Sequence, residues 1–403
     1  MPKSPQGSSG TTRRTGRGRL REAAWSPDFQ SPRPGRAGTY AAFVPDPIGD
    51  YEPQFSGATS ELVVRAQDAV RDLNQRDPAP ASLEGLARQL LRSEALASSQ
   101  IEGLSISHRK LAQAAIQPDG HHRAQEVLGN MRAMEEAVSI GASADPITPE
   151  DIARIHRAIA IVPPLDRIAG RYRIEQGWIG GASPPEAEFV PPPHDEISRL
   201  MDDLCDFMNR DDLPAVAQAA IAHAQFETIH PFGDGNGRVG RCLIHVLLHR
   251  RAVAPNYVPP ISLVLGANKD AYIAGLTIFQ RDEVEDWVAQ FARAVDAASR
   301  RALKFSDAVN ALQERWIERA SPMRADAAAR IVIAHLPAFP FITAKIVEEL
   351  TGRSNQAAHT ALQHLEDAGV LTRHRNRKKG DTWEAKELFA LLNRFESAVR
   401  TEG

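Results

Sequence analysis

Apolar residues recur three and four positions apart along most of this chain, the spacing that lines one face of a helix. GATSELVVRAQDAVRDLNQ puts Leu62, Ala66, Ala69 and Leu73 on such a stripe, with Thr59/Ser60 as the expected cap. SLEGLARQLLRSEALASSQIEGL repeats it through Leu83, Leu86, Leu90 and Ala97 and runs towards Gly103, a helix-stopping residue. Further helices are predicted around 122–139, 149–161, 194–209, 214–229 and 239–251, and DEVEDWVAQFARAVDAASRRALKF closes the series. One segment breaks the rhythm. GRYRIEQGWIGGASPPEAEFVPPP (170–193) sets two β-prone runs on either side of a Gly/Pro-rich loop, which predicts a hairpin. The main body is therefore expected to be all-α with one hairpin, in an N-terminal helical region (41–145) and a core (146–300).

Residues 318–403 are expected to form a separate unit. ITAKIVEEL, a Thr-Gly-Arg turn, NQAAHTALQHLEDAG and the basic run VLTRHRNRKKGDTWEA have the outline of a winged helix–turn–helix over 342–385. Leu350, Ala357, Leu362 and Leu365 would form its small core. Arg353, Gln356, His359 and the wing's Arg373, Arg375, Arg377, Lys378 and Lys379 are the candidates for contact with a DNA duplex. Residues 320–403 hold twelve Lys/Arg and ten Asp/Glu, so docking of a protein or homodimerisation competes with DNA contact as the unit's use.

At 403 residues, two or three domains are expected. Hydrophobic residues at 42% and charged residues at 25% are the proportions of a globular protein in water. No apolar run approaches the roughly 18 residues of a membrane span, and the polar N-terminus has no secretory core, so a cytoplasmic protein without a membrane partner is expected. Cys205 and Cys242, both in apolar-periodic stretches, supply neither a disulfide framework nor a zinc set. The net charge of -3 hides an uneven distribution. Residues 1–40 carry eight Lys/Arg against Glu22 and Asp28 in a Gly/Ser/Pro-rich background, the composition of a disordered basic tail.

The densest chemistry lies in HPFGDGNGRVGR (230–241). It joins the end of one predicted helix, stopped by Pro231, to the start of the next. Gly233, Gly235 and Gly237 allow positive φ and close approach, so successive N–H groups can point at one centre. Arg238 and Arg241 share a face at that helix N-terminus, where each cation opposes the macrodipole by about 0.3–1 kcal/mol. An anion such as a phosphate would reverse that cost. Asp234 is the one acid in this cradle and suits Mg²⁺ beside phosphates, and His230 is positioned as a general base. The Gly-Lys-Ser/Thr ending of a Walker loop is absent, and the loop follows a helix instead of a strand.

HPFGDGNGRVGR resembles, residue by residue, the Fic family signature His-Pro-Phe-x-Asp/Glu-Gly-Asn-Gly-Arg-x-x-Arg. The resemblance implies a helical fold with a β-hairpin flap and transfer of AMP from Mg·ATP to a Ser, Thr or Tyr hydroxyl of a target protein, the chain itself included. It implies that His230 deprotonates the hydroxyl and that Asp234 holds Mg²⁺. Gly233 and the backbone of Gly235–Gly237, with Asn236 and Arg238, would cradle the α- and β-phosphates, and Arg241 would meet the γ-phosphate. SSQIEG (98–103) fits the family's inhibitory pattern Ser/Thr-x-x-x-Glu-Gly/Asn, with Ser98 and Glu102 at the defining positions. There the Glu pairs with the second motif arginine; here that pairing would relieve an anion at a helix C-terminus and a cation at an N-terminus together. Trp178, Ile179 and Gly180 resemble the family's flap, which aligns a target segment by strand-like pairing. Many relatives carry paired tyrosines after the catalytic helix; Lys269-Asp270-Ala271-Tyr272 keeps one, as a contact for the base or as a core residue. The alternative function is a nucleotide-sensing DNA-binding regulator that uses the winged unit.

Overall fold

The computed structural model describes residues 12–27, 36–75, 80–116, 122–324, 327–376 and 380–401. The chain begins with three antiparallel strands, β1 (Thr12–Thr15), β2 (Gly18–Trp25) and β3 (Gly38–Pro45), ordered β1-β2-β3. This corrects the expectation of a disordered tail over the described part of residues 1–40. The basic side chains have acids to meet: Arg14 pairs with Asp46, Arg19 with Glu196 and Arg21 with Asp195. Arg17 is buried, with its guanidinium 3.8 Å above the Tyr51 ring. Gly16 turns the chain at φ +49, where an added Cβ would lie 2.2 Å from the Gln280 carbonyl oxygen. Lys3 and Arg33 lie outside the described residues.

Helices α1 (Gly57–Asn74), α2 (Pro80–Ile101), α3 (His108–Ile116), α4 (His122–Ala142) and α5 (Pro149–Ile159) follow. The cap of α1 is Ser56, one turn before the expected pair, because its hydroxyl accepts from the Thr59 amide at 3.3 Å. α5 starts in a full capping box between Thr148 and Asp151. After the flap segment come α6 (Ile197–Met208), α7 (Ala215–Ile229), α8 (Asn236–Arg250), α9 (Ile261–Ala267), α10 (Lys269–Gln280) and α11 (Val284–Arg319).

The expected hairpin at 170–193 is reduced to one isolated bridge. Ile179 pairs with Phe189, its amide donating to the Phe189 carbonyl at 2.8 Å, and Gly180 and Gly181 turn at φ +72 and +66. Pro184 and Pro185 within the loop and Pro191–Pro193 just after the second run remove donors that a longer ladder needs.

α11 runs 36 residues, straight through the expected boundary between 300 and 318. Its first half, with Trp287 and Phe291, belongs to the core built around α7 and α8. Its second half, with Phe305 and Trp316, belongs to a second core shared with α2 and the C-terminal unit. That unit comprises α12 (Ala328–His335), β4 (Phe341–Ile342), α13 (Ala344–Thr351), α14 (Asn355–Asp367), β5 (Thr372–His374), β6 (Thr382–Glu384) and α15 (Lys386–Thr401), with sheet order β4-β6-β5. Ala358, Ala361, Leu362 and Leu365 are the buried positions of α14, one residue on from the Ala357 expected. Among the described residues no helix is long and apolar enough to cross a membrane.

Candidate active site

The motif loop joins two helices that sit inside the protein. Every residue of α7 except Glu227 is buried, as its all-round apolar sequence requires, and α8 is buried from Arg238 to Leu248. His230 ends α7 in the left-handed conformation at φ 50, a strained backbone for a non-glycine residue. The strain is held from the flap side. The Arg173 amide donates to the Pro231 carbonyl at 2.9 Å, its guanidinium donates to the His230 carbonyl at 2.9 Å, and Tyr172 bridges to Phe232.

Two side chains fix the loop from beneath. Asn236 clasps Phe232 in both directions: its Oδ1 accepts from the Phe232 amide at 2.9 Å and its Nδ2 donates to the Phe232 carbonyl at 2.8 Å. Its side chain thereby holds the loop in shape beneath the expected phosphate cradle. His156, from α5, stacks on Phe232 with centroids 3.9 Å apart. Its Nδ1 accepts from the Gly170 amide at 2.8 Å, so Nε2 carries the proton donated to the Asp234 carbonyl at 3.0 Å. Burial pushes the His156 pKa down to about 4, which keeps it neutral in this role. Sequence reading missed His156; its one signal was a polar residue on the apolar face marked by Ile152, Ile155 and Ile159.

The loop and the N-terminus of α8 bring together most of the expected anion cradle. Gly235 caps α8 at φ 84. Arg238 is buried, yet its Nε and Nη1 have no partner among the described residues, and Asp234 Oδ1 is 4.0 Å from its Nη2. A buried guanidinium with free donors is prepared for an anion. Asp234 keeps most of its carboxylate in solvent while Oδ1 accepts from the Gly235 amide at 2.5 Å.

Arg241 is already engaged. It donates from Nε to Ser98 Oγ at 2.8 Å, and from Nη2 to the Ser98 carbonyl at 2.9 Å and Glu102 Oε1 at 2.7 Å. Burial alone would raise the Glu102 pKa, but the Arg241 guanidinium holds it below the usual carboxylate range. Glu102 also lies hard against the first turn of α8, where a Cβ added at Gly237 would come within 2.2 Å of Oε1. The carboxylate thus sits where the helix N-terminus would receive another anion. α2 is fixed in that position by buried Glu94, which meets His245 at 3.0 Å and accepts from the Ser262 amide at 2.8 Å.

His230 opens on the other side of the loop. It lines a cleft of about 600 Å³ with Phe232, Gly233 and flap residues Tyr172–Trp178. Burial, then the Arg173 cation, push its pKa down to about 4, so the imidazole is neutral and able to accept a proton at pH 7. Ile174, Trp178 and Ile179 are exposed along the flap, and Trp25 of β2 meets Trp178 edge-on at 6.5 Å.

Tyr272 is not in this wall. It is buried in the core, its hydroxyl 2.8 Å from His223 Nε2 and its ring beside Trp287. Glu227 is a second residue that sequence reading missed: Oε1 has no partner among the described residues, and burial pushes its carboxyl up to about 8. In the C-terminal unit Arg373 is bound to Asp381 at 2.6 Å, so it is not a free cation for DNA, and Arg377, Lys378 and Lys379 lie outside the described residues.

Comparison with known proteins agrees with this geometry. The sequence profile of the Fic/DOC family matches residues 146–248, and that of the Fic/DOC family N-terminal region matches residues 60–139. The chain is 34% identical over 138 residues to protein adenylyltransferase Fic of Drosophila willistoni, covering 33% of this chain and 26% of that one. It is 32% identical over 201 residues to its namesake in Aedes aegypti, covering 45% and 38%. The chain therefore spans well under half the length of the curated relatives it matches. A Fic family protein from Desulfovibrio desulfuricans G20 has a similar structure, with TM-score 0.53, 21% identity and coverage of 83% of this chain and 98% of that one. Fic-1 of Caenorhabditis elegans superposes with TM-score 0.51 at 21% identity over 61% and 72%. The motif loop and its cradle thus lie within residues 146–248, which match the Fic/DOC family, and Glu102 lies within residues 60–139, which match that family's N-terminal region.

Proposed function

We propose that the protein transfers AMP from ATP to a hydroxyl of a protein substrate and that Glu102 restrains the reaction. The observation that carries the reading is the pair of buried arginines at the start of α8, Arg238 with free donors and Arg241 held by Glu102. Relatives named protein adenylyltransferase support the same chemistry. In the reaction His230 takes the proton of a Ser, Thr or Tyr hydroxyl, the oxygen attacks the α-phosphorus, and the bond to the β-phosphate oxygen breaks to release pyrophosphate. The loop's backbone N–H groups and Arg238 neutralise charge on the α- and β-phosphates. Asp234, with its carboxylate largely in solvent, would hold Mg²⁺ against the phosphates, which need supply only a few of its ligands alongside water. A bound Mg²⁺ supplies charge neutralisation to the phosphates.

Arg241 can meet a γ-phosphate only after Glu102 lets go, which makes the clamp an inhibitor of productive ATP binding. The exposed flap residues Trp178 and Ile179 offer an edge on which a target segment, from another protein or from this chain, aligns beside His230. ATP labelled at the α- or the γ-phosphate separates the possibilities. Covalent label from the α position only is expected, falling by roughly 10²–10⁴-fold in His230→Ala. Retention of γ label, or no label from either position in Glu102→Gly, would overturn the reading.

A further inference from the structure

Between α2 and the C-terminal unit lies a second cavity, of about 750 Å³, remote from the motif loop in sequence. Its walls are largely apolar and aromatic, with Ile116, Met131, Phe339, Phe341 and Trp383 among them. Arg92 of α2 lines it and also a smaller cavity of about 220 Å³ behind. This arginine is 7% exposed, and its Nε and Nη1 have no partner among the described residues. Among the described residues its one bond is long, Nη2 to the Ala338 carbonyl at 3.5 Å. Leaving such a cation unpaired in a low-dielectric site is costly, and native proteins rarely do so without a ligand.

Among the described residues, the other charges at the rim have partners of opposite sign. Lys345 faces Glu349 at 3.9 Å, Asp381 is taken by Arg373, and Arg88 by Glu84 at 3.2 Å. Glu135, exposed beside the smaller cavity, acts on Arg92 only through space. One uncompensated buried cation beside apolar walls matches a single negative charge on an apolar body. A dianion such as phosphate would leave excess charge buried.

We propose that this cavity binds a small apolar carboxylate whose charge is held by the Arg92 guanidinium. The ligand would bridge α2 to the turn at Pro337–Ala338. Gln89 already grips the Pro337 carbonyl there, and its Oε1 remains unpartnered among the described residues. Occupancy would bear on Glu102, carried just past the end of the same helix; that consequence rests on the adenylyl-transfer reading, whereas binding itself does not.

The probe is 4-fluorobenzoate, titrated into the full chain and followed by fluorine NMR. Saturable binding is expected, weaker by roughly tenfold or more in Arg92→Met and for the uncharged 4-fluorobenzamide, as for loss of a charge-assisted hydrogen bond. Ala344→Trp, which fills the cavity from α13, should abolish it, and His230→Ala should leave it unchanged. If Arg92→Met does not fold, the amide and Ala344→Trp decide the matter. Absence of saturable binding to the full chain overturns the proposal, as does binding that survives Ala344→Trp or treats amide and carboxylate alike.

Discussion

Arg241 is held by Ser98 and Glu102. Its three bonds divide between a serine hydroxyl, a backbone carbonyl and a carboxylate, and only the carboxylate competes with a phosphate for the same charge. Removing the Ser98 hydroxyl should therefore loosen the clamp without opening it. Ser98→Ala is expected to raise AMP transfer severalfold, below the roughly 5–150-fold range of a typical coupling energy of 1–3 kcal/mol that Glu102→Gly would release. Initial rates of labelling measure both; a larger rise in Ser98→Ala than in Glu102→Gly would refute the ranking. The glycines, Asp234, Arg238 and the Ser98–Glu102 pair were legible in sequence because their chemistry is local or motif-borne. Asn236 and Tyr272 were not, since a side chain's partner depends on the far side of the packing: Phe232 for one, His223 for the other. His156 and Glu227 carry no local signal beyond a polar residue in an apolar stretch.

At the scale of elements, α2 has two duties. Ser98 and the following Glu102 hold Arg241, while Gly85, Gln89 and Arg92 hold the turn of the C-terminal unit. Gly85 is needed there because an added Cβ would come within 2.9 Å of Pro337 Cβ. Gly85→Ala should cost about 1–3 kcal/mol through overpacking, outweighing the gain in helix propensity, as read from denaturant titration. A neutral or stabilising effect would mean that the turn yields freely. The helices were legible from their 3.6-residue rhythm. The N-terminal sheet was not, because β1 is short, β1 and β2 are rich in Arg, and those cations meet acids such as Glu196 far along the chain. The flap was overestimated for the opposite reason: β-prone runs are present, but the prolines leave one bridge between them.

Taken whole, the described residues build two large cores joined by α11, with a smaller cluster around α3 and α4, and the continuous apolar stripe of α11 crosses the boundary expected between 300 and 318. The molecule's centre is titratable. Burial pushes His156 and His230 down to about 4 and His223 to about 3, while Glu227 is pushed up to about 8. Between roughly pH 4.5 and 6.5 the unfolded chain binds a proton on each of these histidines that the folded chain does not, and the folded chain keeps one extra on Glu227. The histidine contribution is complete above pH 6.5 and is lost as pH falls towards 4; the Glu227 contribution is complete below about 4.5 and is lost as pH rises through 8. With three groups against one, stability near pH 5.5 should fall by roughly 2–3 kcal/mol per unit of acidification. Chemical denaturation at pH 7 and 5.5 checks this, and equal stability at both would contradict the buried neutral histidines.

Intact mass spectrometry after incubation with Mg·ATP shows whether Glu102 withholds an otherwise competent transferase. Glu102→Gly should gain the mass of one or more AMP groups, the native chain far less, and Glu102→Gly combined with His230→Ala none. No AMP addition in Glu102→Gly, or equal addition with and without His230, would contradict the account.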